Sequence, residues 1–190
     1  MNVPLTHAAE GLERRAFTVK DVIRMVETGV LGRDERFELI GGEIVPMSPK
    51  GIRHERLKLW LMEKLVKGLP DQFQTIPETS FYLSDDTFIE PDFVIYPRES
   101  GLENLSPETC LLAIGIADSS LAYDLGRKAR LYAEFRIREL WVIDVNTMTI
   151  TVHTSPNETG YGNVIAQLAE AELRAGAISD YSICFTEYKT

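Results

Sequence analysis

The stretch "CLLAIGIADSSLAYDLGRKARLYAEFRIRELWVIDV", Cys110 to Val145, decides the fold. Cys110 to Ala117 reads as a buried strand that runs into a polar turn. "LAYDLGRKARLYAEF" reads as a helix with Leu121, Leu125 and Tyr132 along one side. "ELWVIDV" reads as a second strand. A strand, a crossover helix and a second strand favour a right-handed unit. Residues 110–117 and 139–145 are therefore expected as parallel neighbours or near neighbours, with helix 121–135 on one face. The odd member is Gly115. A glycine inside a strand packs no side chain and costs backbone entropy. Alternation sets Ala113, Gly115 and Ala117 on one face and Ile114 and Ile116 on the other. The large face is core, and the small face borders something that needs space.

Working outward, residues 1–16 are polar and expected as a loose arm, with one domain from 17 to 190. "FTVKDVIRMVETG" predicts a helix with Thr18 as N-cap, a stripe of Val19, Val22, Ile23 and Val26, and an end at Gly29 or Gly32. "RFELIGGEIVPMSP" holds two alternating runs around Gly41-Gly42, a hairpin signal. Phe37, Leu39 and Ile44 are its core positions. A helix is expected from about Gly51 to Gly68, with Leu57, Trp60, Leu61 and Leu65 on its apolar face. "QFQTIPETSFYLS" is strand-like, with Pro77 marking an edge or bulge. "DDTF" is a turn, and Phe93 to Tyr96 form a short strand. "ELWVIDV" and "MTITVHT" predict a hairpin, "SPNETGYGN" a turn, and the last 30 residues two or three short strands. The fold class is α+β: a mixed sheet flanked by helices, with an N-terminal helix and hairpin.

The composition, 44% hydrophobic and 26% charged, is that of an ordinary globular chain. Cys110 and Cys184 lie in apolar runs without a CxxC partner, and are expected as buried free thiols in a reducing cytoplasm. No signal peptide is legible, and no apolar run approaches the roughly 20 residues of a membrane span. The net charge of −9 excludes a generally basic nucleic-acid coat. The charge is uneven, however. Lys50–Lys67 carries six Lys/Arg and two Glu, and Arg127–Arg138 five Lys/Arg and one Glu, so each is +4. Two such segments on an acidic body can form a phosphate-facing patch. Each alone also fits a solvated helix face.

The candidate chemistry starts at Glu90-Pro91-Asp92, where proline locks the chain before a strand and a carboxylate opens it. By alternation Glu90 and Asp92 share a face. Asp124 and Lys128 stand four apart on the margin of a helical stripe, which fits a simple i,i+4 ion pair or a lysine reaching the end of the sheet. Ser119-Ser120 read as the N-cap of helix 121–135, with Asp118 at its positive end. His7 lies in the arm and His153 on a strand surface. Neither has ligand spacing, so no zinc site is assigned.

Taken in order, "RFELIGGEIVPMSP", His54, "PDFVIY", "LLAIGIADSSLAYDLGRKARLYAEFRI" and "ELWVIDV" resemble the Uma2 family (DUF820), abundant in cyanobacteria. The resemblance spans roughly residues 17 to 155. It implies a PD-(D/E)XK restriction-endonuclease-like fold and a cytoplasmic phosphodiester hydrolase acting on DNA with Mg²⁺, or Mn²⁺ in its place. It also implies Asp92 as a metal ligand, Lys128 as the lysine that activates water and stabilises phosphate charge, and Asp124 as its orienting partner. Glu38 and His54 match further polar positions of the pocket. The second acid of the family falls on position 115, where this chain has glycine, and the usual lysine position holds Ala117. Three residues are conceivable replacements for that acid: Glu90, Glu38 and Asp118, although alternation points Asp118 away from 115. A homodimer is expected by analogy.

Three readings follow. The chain is a Mg²⁺-dependent endonuclease with activity reduced by the missing acid. Alternatively it is an inactive homologue that binds nucleic acid or protein. The third reading is an interaction protein without a nucleic-acid role, which the acidic balance favours.

Overall fold

The structure is a computed structural model that describes residues 5–7, 13–178 and 180–188. The first elements in chain order are strands β1 (Leu5–His7) and β2 (Glu13–Arg15), helix α1 (Val19–Glu27), β3 (Phe37–Ile40), β4 (Glu43–Pro46), helix α2 (Ile52–Gly68) and β5 (Phe73–Pro77). Then come β6 (Phe81–Ser84), β7 (Thr87–Ile89), β8 (Phe93–Pro97) and β9 (Leu112–Ala117). Helices α3 (Leu121–Tyr123) and α4 (Ala129–Glu134) follow, then β10 (Glu139–Asp144), β11 (Thr149–Asn157), β12 (Gly160–Leu168), β13 (Glu172–Arg174) and β14 (Ser182–Cys184). Packing divides the chain into two units: Met1–Pro49 with Ser80–Glu90, and Lys50–Thr79 with Pro91–Thr190.

The first unit is built on a four-stranded sheet of order β4-β3-β7-β6. Gly41 and Gly42 turn β3 into β4 as expected, both at positive φ. Thr18 caps α1 through a reciprocal capping box with Asp21. The predicted stripe holds only in part: Val22 is buried, while Ile23 is 47% exposed. α1 stops at Glu27, and Gly29 takes positive φ just beyond it. The arm expected as loose contains an antiparallel pair, β1 with β2, and a buried Ala16; residues 1–4 and 8–12 lie outside the described residues.

The second unit carries a six-stranded mixed sheet of order β12-β11-β10-β9-β8-β5. β9 and β10 are parallel, with Gly115 opposite Val142, as the crossover rule requires. The large face of β9 is core. Leu57, Leu61 and Leu65, one turn apart on α2, pack with Phe93, Ile95, Leu112, Ile114, Ile116, Trp141 and Ile143. Each such side chain removed from water contributes about 1.5–3 kcal/mol. On the small face Ala113 and Ala117 are fully buried, and only Gly115 is half-exposed.

Three details depart from expectation. The helix 121–135 is not regular: between α3 and α4, Asp124–Lys128 forms a π-helical turn in which the Ala129 N–H reaches back five residues to the Asp124 carbonyl. The expected turn at 155–163 shrinks to two residues, because β11 runs to Asn157 and β12 starts at Gly160. His153 is not on the surface. It is buried, its Nδ1 lies 3.3 Å from the Leu140 carbonyl oxygen, and its ring meets Tyr161. Both cysteines are free as expected, but only Cys110 is buried and Cys184 is half-buried; burial pushes the Cys110 thiol up to about 12.

Gly42 supplies a stability test. Its φ is +79°, and a Cβ there would stand 2.5 Å from the Ala16 Cβ and 2.9 Å from the Ala16 Cα. Gly41 also has positive φ, but a Cβ there meets nothing within 4 Å. Gly42→Ala is therefore expected to cost about 2 kcal/mol or more in urea unfolding. Gly41→Ala should cost about 1 kcal/mol. Equal losses at both positions would contradict this packing.

Candidate active site

Pro91 directs the chain into β8, and Asp92 stands immediately before that strand. β8 runs antiparallel to β9 with Phe93 opposite Ile114 and Val94 opposite Ala113. Extending that ladder by one residue sets Asp92 across from Gly115. Directly opposed residues of an antiparallel pair project to the same face, with Cβ atoms about 4.5–5.5 Å apart. The two positions the sequence singles out are thus neighbours on one face. A Cβ built on Gly115 meets nothing within 4 Å, so a longer side chain has room there.

Asp92 is buried and fully engaged. Its Oδ1 is 2.9 Å from His54 Nε2 and 3.0 Å from Lys50 Nζ. Its Oδ2 accepts the Ile116 N–H at 2.7 Å. Its backbone carbonyl accepts the Glu78 N–H at 3.2 Å. Burial alone raises the Asp92 carboxyl, but the hydrogen bond from His54, the charge of Lys50 and the Ile116 N–H outweigh it. They hold the group below the ordinary value of 3.8.

The cations around Asp92 belong to a wider network. Lys50 pairs also with Glu78, and Lys58 bridges Glu55 at 2.6 Å and Glu78 at 3.0 Å. Burial raises the Glu78 carboxyl and lowers the Lys58 ammonium. In each case the opposite charges prevail, so Glu78 lies below its ordinary range and Lys58 above. Glu78 has a φ of +47°, a left-handed conformation that a non-glycine side chain rarely adopts. Its backbone and its carboxylate are thereby both tied into the group around Asp92. His54 Nδ1 is buried 3.4 Å from Glu55 Oε1, without hydrogen-bond geometry.

The other expected residues take different places. Lys128 closes the π-helical turn, half-buried. π-Turns inside α-helices occur often at functional sites, because the extra residue re-aims the side chains around it. Asp124 opens the same turn and accepts the Ser120 hydroxyl at 2.6 Å. That hydroxyl therefore orients Asp124; Ser120 takes the expected N-cap position of α3, but its side chain makes no cap hydrogen bond. Asp118 turns to other partners: its Oδ1 lies 3.3 Å from Asn146 Nδ2, and its Oδ2 faces Gly51. Glu38 and Glu90 belong to the first unit. Glu38 is buried and accepts the Glu90 N–H at 2.9 Å, and the Glu90 carboxylate pairs with Arg36.

Sequence reasoning did not single out Lys50, Glu78 or Lys58 as members of the centre. Lys50 and Lys58 were visible only as part of a basic segment, and Glu78 gave no signal. Among the described residues, no group of three or more His, Cys, Asp or Glu side chains is arranged to hold a metal ion.

Removing the Asp92 charge should be costly. Asp92→Asn removes the buried negative charge shared by Lys50 and His54, with the more exposed Glu78 still beside Lys50, and is expected to cost about 3 kcal/mol at pH 7. Because the folded-state pKa is lowered, this contribution is present above 3.8 and fades as pH falls below it. Urea unfolding of both proteins from pH 7 to pH 3 should show the gap closing. A gap that widens towards acid would contradict the assignment.

A family model for Uma2, described as "Putative restriction endonuclease", matches residues 21–179. Among solved structures, the chain is similar to one titled as a putative nuclease belonging to DUF820 from Anabaena variabilis ATCC 29413. The TM-score is 0.69 at 13% identity, covering 89% of this chain and 95% of that one. At that identity the likeness concerns the fold. No curated protein matches the chain.

Proposed function

This chain belongs to the Uma2 family, and on that premise we propose that it is a nuclease-fold protein directed at DNA whose hydrolytic centre is disabled at position 115. One observation carries the reading. Asp92 stands across the extended β8–β9 ladder from a glycine with open space above it, and its carboxylate oxygens are engaged by Lys50, His54 and the Ile116 N–H.

The family's chemistry calls for a divalent cation on two carboxylates. Mg²⁺ and Mn²⁺ favour hard oxygen ligands in octahedral geometry. Here one carboxylate is absent and the other already neutralises an ammonium, so the residues present do not fit the ion. Glu90 does not replace the missing acid in this reading, since its carboxylate serves Arg36. Glu38 is spent on the Glu90 backbone. No hydrolytic step is assigned to the centre as it stands.

Phosphate binding needs no metal. Arg127, Arg130, Arg136 and Arg138 are exposed on the second unit, and Lys128 lies among them in sequence. The first basic segment is less available, since Lys50, Lys58, Lys64 and Lys67 all pair with carboxylates. The DNA contact is therefore assigned to the segment around the π-helical turn.

Plasmid and duplex assays test the proposal together. Wild type with Mg²⁺ or Mn²⁺ is expected to nick supercoiled DNA no faster than Lys128→Ala. Gly115→Glu should gain both metal binding by calorimetry and nicking. Duplex binding should weaken steeply with salt, with a log–log slope of about −3 to −4 for four phosphate contacts. Metal-dependent nicking by wild type that Lys128→Ala abolishes would overturn the loss of chemistry. Absence of binding even at low salt would overturn the DNA role and leave an interaction protein.

A further inference from the structure

We propose that β12 is a self-association edge, at which two copies of this chain join their six-stranded sheets through an antiparallel β12–β12 pair. β12 is the terminal strand of the sheet, and among the described residues no strand pairs with its outer side. A free edge presents a row of unpaired N–H and C=O groups, and native chains blunt such edges with charges, prolines, bulges or short length. The opposite edge, β5, is so treated: it has five residues and ends at Pro77. β12 has nine residues, and from Gly160 to Ala169 it has neither a charged residue nor a proline.

From Gly162 to Ala166 every residue is exposed, on both faces of the strand. Val164 is 53% exposed, Ile165 47% and Leu168 64%, and Val164 and Ile165 project to opposite sides of the sheet. The backbone of such a strand calls for another strand, not for a helix or a small ligand.

The occupant is a second copy, for two reasons. An antiparallel pairing of one strand with itself is isologous and closes as a two-fold dimer. Centred on Val164, it sets Val164 against its own image, Gly162 against Ala166 and Gly160 against Leu168, so that no two bulky residues other than the central valines oppose each other on that face. Charge is the second reason. Each chain carries −9, so two copies repel over most of their surface, and β12 offers a contact with no charge on either side. The other apolar stripe, Ile52, Leu59 and Val66 on α2, is also exposed. Its helical backbone is satisfied internally, so nothing in it demands a partner.

Sedimentation and light scattering across a concentration series test the proposal, with hydrogen exchange on the full chain. Wild type is expected to reach twice the chain mass, and alternate β12 amides should gain protection as the dimer forms. Ile165→Lys sets two like charges into the seam and should weaken dimerisation by about tenfold or more. Val164→Lys should act in the same way, and circular dichroism confirms that either variant is folded. Leu59→Lys should leave the dimer intact. A chain that stays monomeric throughout would overturn the proposal. So would a dimer lost in Leu59→Lys but kept in both β12 variants, or one that leaves the β12 amides unprotected.

Discussion

The centre of the second unit depends on how one buried carboxylate is satisfied. Asp92 stands at the head of β8 with its oxygens shared among a lysine, a histidine and the amide that follows Gly115. An ionised aspartate in such surroundings is tolerable only with charge and hydrogen bonds to match its desolvation. Lys50 provides the charge from just before α2, and His54 comes from the first turn of that helix. Ile116 ties the carboxylate to the neighbouring strand. Two segments, the start of α2 and β9, are tied to the head of β8 by one side chain, and Glu78 is drawn in as counter-charge to Lys50.

Under the proposed function, the glycine and the lysine bear on one charge balance. In a centre with two acids and a divalent cation, charge balance comes from the ion. With the acid at 115 absent, less positive charge is needed, and a single ammonium beside Asp92 suffices. In that reading Lys50 supplies, beside Asp92, part of the positive charge that a metal would bring. The π-helical turn holds Asp124 and Lys128, and the Asp124 carboxylate accepts the Ser120 hydroxyl.

Much of the fold was legible because it rests on local patterns. The alternation of "LLAIGIA" and the run "ELWVIDV" predict the parallel pair β9–β10. Gly41-Gly42 predicts the first hairpin, and the leucine spacing predicts α2. The π-helical turn was not legible, since one extra residue per turn barely disturbs a stripe only a few turns long. His153 was misplaced because strand periodicity does not say which face a neighbouring helix covers. Within the site, Gly115 was readable twice, from its incongruity in a strand and from the resemblance to a family with an acid there. The pairing of Lys50 with Asp92 joins residues 42 apart, and that of Lys50 with Glu78 residues 28 apart. No local pattern encodes either, so both emerged only with the fold.

The account turns on whether Asp92 is available to a metal. The most direct measurement is a crystal of the wild-type chain soaked in Mn²⁺, with anomalous scattering to locate the ion. The account predicts no manganese beside Asp92, Lys50 still within hydrogen-bond reach of its carboxylate, and solvent in the space above Gly115. A manganese ion bound to the Asp92 carboxylate, with Lys50 displaced from it, would contradict it.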